Sequence, residues 1–201
     1  MSFSATPSSE IPALGFHKAA LPDGWTASWP DLVSWMLIEA ERRFGPRDPR
    51  WFFAGVEFAD GVNHVTYPLA DRPFHVAIRL TRAAAADPRL AHFELAHEIV
   101  HLLSPSANPS ASNCLLEGMA GVFQLEMASM AELGVGVGPG PYLDAIQAVL
   151  ALIGIDPGAV RKIRAACPDL AALTPDALLA IVPALSKARA EQLCAPFPGG
   201  H

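Results

Sequence analysis

Cysteine is scarce in this chain. The three present, Cys114, Cys167 and Cys194, are odd in number and widely spaced. They read as free thiols, which excludes a disulfide framework. Cations are scarce as well: 14 Lys and Arg stand against 20 Asp and Glu, a formal charge of -6. No basic stripe is visible, which argues against nucleic acid as a partner. No apolar run reaches the roughly 18 residues that cross a bilayer, so no membrane is expected as a partner. Met1 to Leu21 lacks a basic start followed by an apolar core. No signal peptide is therefore expected, and the reading is cytoplasmic. Charged residues make up only 17% and hydrophobic ones 51%. Such a chain buries a core, and 201 residues suffice for one domain with a small helical extension.

Against this background one short run stands out, His97-Glu98-Ile99-Val100-His101. On a helix, residues four apart lie above one another on one face. Two imidazoles placed so can share one Zn2+, and Glu98, about a quarter turn away, can reach a water on the metal. Asp87-Pro88 is a helix start, an N-cap acceptor followed by proline where no N–H is missed. From Arg89 the chain runs without Gly or Pro to Ser104, and Pro105 ends the run. Leu90, Phe93, Leu95, Ala96, Ile99, Val100, Leu102 and Leu103 make this helix largely apolar, yet it carries histidines and glutamates. Buried polar groups need partners, and a metal supplies one.

Two histidines do not hold zinc alone; a third protein ligand is expected, with water in the fourth place. A metzincin would continue with Gly and His where this chain has Ser104 and Ala107. A peptide deformylase would have its Cys ligand upstream, and no Cys lies there. Cys114 as a further ligand would close the site. Asn113 is an N-cap for a second helix, and Glu117 lies one turn into it. Leu115, Leu116, Met119, Val122, Phe123 and Leu125 give that helix an apolar stripe in which Glu117 is embedded. A carboxylate there calls for a cation. The rival, Glu126, falls about half a turn away and reads as a solvated surface residue.

The run Phe93-Glu94-Leu95-Ala96-His97-Glu98-Ile99-Val100-His101, followed by Glu117-Gly118-Met119-Ala120-Gly121-Val122-Phe123, resembles the ImmA/IrrE-type metallopeptidases. Their pattern is an F-x-L-A-H-E-x-x-H helix and then an E-x-x-A-N-x-F-A helix. The likeness spans roughly residues 30 to 130, with motifs over about 30 of them. It implies His97, His101 and Glu117 as metal ligands and Glu98 as general base. The chain departs from the pattern at Val100, where Gly is common, at Gly121, where Asn is usual, and at Gln124, where Ala is frequent. No helix-turn-helix segment is found.

The remaining chain reads as a scaffold. Residues 1 to 29 form an irregular N-terminal segment. Asp31 to Phe44 is a helix ended by Gly45-Pro46. Trp51 to Phe58 is a strand, Asp60-Gly61 a turn, and Val62 to Tyr67 the returning strand of a hairpin. Phe74 to Leu80 is a third strand with Phe74, Val76, Ile78 and Leu80 on one face. The expected class is α+β, a minimal zincin-like fold with a small three-stranded sheet packed on helices. The metallopeptidase domain is read as 30–133. A Gly- and Pro-rich linker or loop follows over 134–141, then a helical C-terminal region over 142–195 and a flexible tail over 196–201. Within that region Tyr142 to Ile153, Pro157 to Ala166 and Pro175 to Leu193 read as helices.

The expected activity is hydrolysis of peptide bonds by a zinc-activated water, Glu98 moving the proton, on a peptide or protein substrate laid along a sheet edge. An oxyanion donor from outside the motif is expected, with Tyr67, Tyr142, His64, His75 and His92 as candidates by type. Glu94 is read either as a partner to a ligand-histidine N–H or as a solvated group. Two other readings are a catalytically silent zincin-fold module whose C-terminal helices recruit a protein partner, and a protein in which the motif only joins two helices.

Overall fold

A computed structural model of the chain describes residues 30–60, 65–105 and 112–198. The segment 1–29, the expected turn at Gly61, the start of the expected second strand, His64, most of the loop after Ser104 and the last three residues lie outside them.

The fold is α+β: helices α1 (Pro30–Phe44), α2 (Arg82–Ala86), α3 (Pro88–His101), α4 (Cys114–Met130), α5 (Pro141–Ile155), α6 (Ala159–Ala166), α7 (Pro175–Ile181) and α8 (Lys187–Cys194), and strands β1 (Phe52–Ala59), β2 (Val65–Pro68) and β3 (His75–Thr81). A 3₁₀ turn at Leu170–Ala172 lies between α6 and α7. Helices α1, α3 and α4 fall within a few residues of the boundaries expected from their caps and stops. Five-residue α2 was not foreseen, because one turn shows no periodicity. Thr81 creates it by accepting from the Ala84 N–H at 3.3 Å.

The sheet corrects the expected hairpin. Strand order is β1-β3-β2, with β1 parallel and β2 antiparallel to β3, so β1 and β2 are not neighbours. Burial explains the choice. In β3, Val76, Ala77, Ile78 and Leu80 are all buried, which covers both faces and suits a central strand. β2 is half-exposed, four residues long and ends in proline, as an edge tolerates. Phe74 does not share the face of Val76, Ile78 and Leu80. It sits at φ 55°, before the strand, half-exposed against Trp51 at 5.7 Å between ring centroids.

The helices after the Gly- and Pro-rich stretch share one apolar core with α1, α3, α4 and β3. α5 lies against α4 at two glycines one turn apart. A Cβ on Gly118 would fall 2.6 Å from Val149 Cγ2 and closer still to the Ala145 carbonyl oxygen; one on Gly121 would fall 2.5 Å from Ile146 Cγ1. Gly121, one of the departures from the resembled pattern, is thus where α5 docks.

Arg164 of α6 ties this half to the rest. Its guanidinium, 8% exposed, donates to the carbonyls of Phe44 and Gly45 at 2.8 and 2.7 Å, and to those of Pro46 and Leu103, each at 2.9 Å. It therefore satisfies the C-terminal ends of α1 and α3, where helix carbonyls run out of partners and cations are favoured. Desolvation draws its pKa down to about 10, so it stays charged at neutral pH. The expected helix Pro175 to Leu193 is broken in two. Pro183 forces Val182 out of helical geometry, to φ -127° and ψ 77°, and Ser186 caps a new start by accepting from Arg189 N–H.

Two stability changes follow. Arg164→Met leaves buried carbonyls unsatisfied and should lower unfolding free energy by roughly 3 kcal/mol, read from the urea midpoint. Gly118→Ala meets backbone that cannot move aside and should cost about 1–3 kcal/mol, more than Gly121→Ala, where only the Ile146 side chain must shift.

Candidate metal centre

Helix α3 begins as its sequence dictates. The Asp87 carboxylate accepts from Arg89 N–H at 2.9 Å and faces Leu90 N–H at 3.4 Å, with Pro88 in the first turn. Ala91, Leu95, Ala96, Ile99 and Val100 are buried, and that pulls His97 and Glu98 inside with them, at 1% and 0% exposure. Helix α4 starts at Asn113, whose Oδ1 accepts from Leu116 N–H at 3.0 Å while its Nδ2 donates to the Leu170 carbonyl at 2.7 Å. One turn on, Glu117 is fully buried.

The two helices bring four groups together. His97 Nε2 lies 3.2 Å from Glu117 Oε2, and His101 Nε2 lies 3.7 Å from Glu117 Oε1. The imidazole centroids are 5.1 Å apart. Glu98 belongs to the same cluster, its carboxylate within 4.8 Å of the ligand nitrogens of both histidines. Of the four, His101 is the most open, its side chain 12% exposed. Tetrahedral zinc with bonds of about 2.1 Å puts its ligand atoms about 3.4 Å from one another. The His97–Oε2 separation lies near that value and His101 stands on the other oxygen, so two imidazoles and a buried carboxylate form a donor set whose chemistry fits a divalent metal.

Proximity alone would let either carboxylate be the third ligand, and the surroundings separate them. The Thr66 hydroxyl of β2 donates to Glu98, 2.6 Å from Oε2 and 3.1 Å from its carbonyl. Glu98 is thereby drawn toward the sheet. Glu117 faces both imidazoles, and its Oε1 accepts from the Ser112 hydroxyl. Neither Thr66 nor Ser112 carries a signal in the sequence; each matters only because of where the fold places it.

Of the candidate oxyanion donors, Tyr142 stands at the cluster. Its ring meets that of His97 edge-on at 5.7 Å. Burial, with the Glu117 and Glu98 charges, pushes its phenol up to about 12, so it keeps its proton at neutral pH. The other described candidates are engaged elsewhere. Tyr67 donates to Glu57 and lies beneath the Arg79 guanidinium, and the His75 ring rests on Phe52 with Nδ1 2.9 Å from the Pro73 carbonyl. His92 is buried and lies about 140° round α3 from His97.

Two further readings are corrected. Glu94 is neither solvated nor paired with a ligand histidine. It is buried, and it accepts from the Thr81 N–H at 2.9 Å and the Thr81 hydroxyl at 2.7 Å, fastening α3 to the end of β3. Glu126 is not a free surface group, since it pairs with Arg43 of α1 at 2.5 Å. Gln124 reaches across to α3 and donates to the Phe93 carbonyl at 3.1 Å. The Cys114 thiol is raised by burial and by the Glu117 and Asp144 charges.

Compared with models of known protein families, with curated proteins and with solved structures, the chain matches none.

His92 yields a pH prediction. Apart from its own backbone, its ring nitrogens meet no hydrogen-bond partner among the described residues, and burial lowers its pKa to about 4. Between pH 6.5 and 4 the unfolded chain binds a proton here that the folded chain does not. Stability is thus full above pH 6.5 and falls as pH drops toward 4, by about 3 kcal/mol from this group. Denaturant midpoints at pH 7 and 4.5 should differ less in His92→Leu than in the parent.

Proposed function

We propose that this protein is a zinc-dependent metallopeptidase. The observation that carries the reading is the convergence of His97, His101 and Glu117 near the spacing of ligands, with buried Glu98 beside them. Two carboxylates and two imidazoles in so little space favour a dication, which offsets the carboxylate charge. The resemblance to ImmA/IrrE-type enzymes supports the same residues in the same roles.

His97, His101 and Glu117 would hold the metal. When bound, zinc supplies Lewis acidity and brings the pKa of water to about 7. The chain's own residues do the rest. Glu98 takes a proton from the attacking water and passes it to the leaving amine. Thr66 holds one oxygen of that carboxylate and so fixes how it is turned. The protonated Tyr142 phenol donates to the oxygen on which charge develops. An extended peptide along the β2 edge would lie next to Thr66 and therefore next to Glu98. A catalytically silent module that recruits a partner through the C-terminal helices draws on less, since Leu178, Val182, Leu185 and Leu193 are buried in the chain's own core.

Metal analysis of untagged protein is the test. Wild type should carry about one zinc per chain, lost in both His101→Ala and Glu117→Ala. Glu98→Gln should keep its zinc and cut a mixed peptide library roughly 100- to 10,000-fold more slowly. A wild-type chain that holds no zinc after reconstitution and dialysis would rule the reading out.

A further inference from the structure

Ser112 stands just outside α4, so helix geometry does not fix it. The C-terminal segment does. The Phe197 N–H donates to the Ser112 carbonyl at 3.0 Å, and the Cys114 N–H donates to the Ala195 carbonyl at 3.0 Å. Asn113 and Pro196 pair between them as an antiparallel bridge. The segment is itself anchored. Phe197 is 9% exposed, and its ring lies 4.6 Å from that of Tyr142, which in turn meets His97. A second tie runs from Asn113 Nδ2 to Leu170, also in the C-terminal half.

A carboxylate turns easily about its last bond. Glu117 must present a chosen oxygen if it is to bind a metal with the two histidines. The Ser112 hydroxyl, donating to Oε1, sets that rotation with Oε2 toward His97 Nε2. Hydrogen bonds of this kind to a ligand's outer atoms orient it and raise metal affinity.

We infer that Ser112 is a positioning residue for the metal ligand Glu117, and that Ala195–Phe197 is a strap that holds Ser112 in place. This rests on the metal-centre reading above. It also assigns residues 195–197 a task, the completion of a site whose ligands lie on α3 and α4.

The experiment is zinc affinity by competition with a chromophoric chelator, on the full chain. Thermal melts in excess chelator establish that each variant folds. Ser112→Ala should bind zinc roughly 10- to 100-fold more weakly, and Ser112→Thr, which keeps the hydroxyl, should recover most of the loss. Phe197→Ala keeps the N–H to Ser112 and loses only the ring. Phe197→Pro loses both and should be the weaker binder. Combined with Ser112→Ala, it should add little, because the strap acts through Ser112. Wild-type affinity in Ser112→Ala, or a Thr variant as weak as the Ala one, overturns the positioning role while the metal centre stands. Equal affinity in Phe197→Pro and Phe197→Ala overturns the strap. No zinc in wild type overturns the metal centre itself, and this inference with it.

Discussion

The fold turns on one contact, the face where α3 and α4 meet with ionisable groups buried between them. Apolar residues on both helices, among them Leu95, Ile99, Leu116 and Met119, drive that face together. His97, Glu98 and Glu117 are carried inside with them. Burial of such groups is unfavourable unless each finds a partner, and the partners come from several elements. Thr66 reaches in from β2, Ser112 from the start of α4, Tyr142 from α5. The sheet, the two motif helices and the C-terminal half are thus arranged about the same few polar atoms.

Close packing makes that arrangement possible. Gly118 and Gly121 let α5 approach α4 more nearly than any side chain would allow. Tyr142, one turn earlier on α5, is brought to the flank of His97 as a result. The departure at Gly121 from the resembled motif is then part of how this chain builds its site. The segment from Gly134 to Gly140 joins two helices that lie directly on one another.

Local signals were legible and distant ones were not. Asp87-Pro88 and Asn113 marked the starts of α3 and α4 because capping is a matter of three or four adjacent residues. His97, Glu98 and His101 announced themselves by spacing, and Glu117 by sitting as a charge on an apolar stripe. The pairing of β2 with β3 was missed, because a turn signal at Asp60-Gly61 says nothing about which strand is buried on both faces. Glu94 was misread for a similar reason. Its partner, Thr81, is thirteen residues away in sequence, on another element. Thr66 and Ser112 carry ordinary side chains in ordinary contexts, and only the assembled fold gives them a carboxylate to hold. Pro183 ends α7 in spite of the Ala- and Leu-rich composition around it, because the residue before a proline is kept out of helical geometry.

The pairing of residues 112 and 114 with 197 and 195 also has a temporal side. A chain leaving the ribosome exposes both motif helices well before Ala195 and Phe197 have been made. At that stage all four chemical groups exist, but Ser112 and Cys114 have yet to meet Phe197 and Ala195. The pairing that holds Ser112 therefore forms only once residues 195–197 have been made. A nascent or nicked chain that lacks 195–197 would carry the same side chains on α3 and α4, with Ser112 no longer held from the far side.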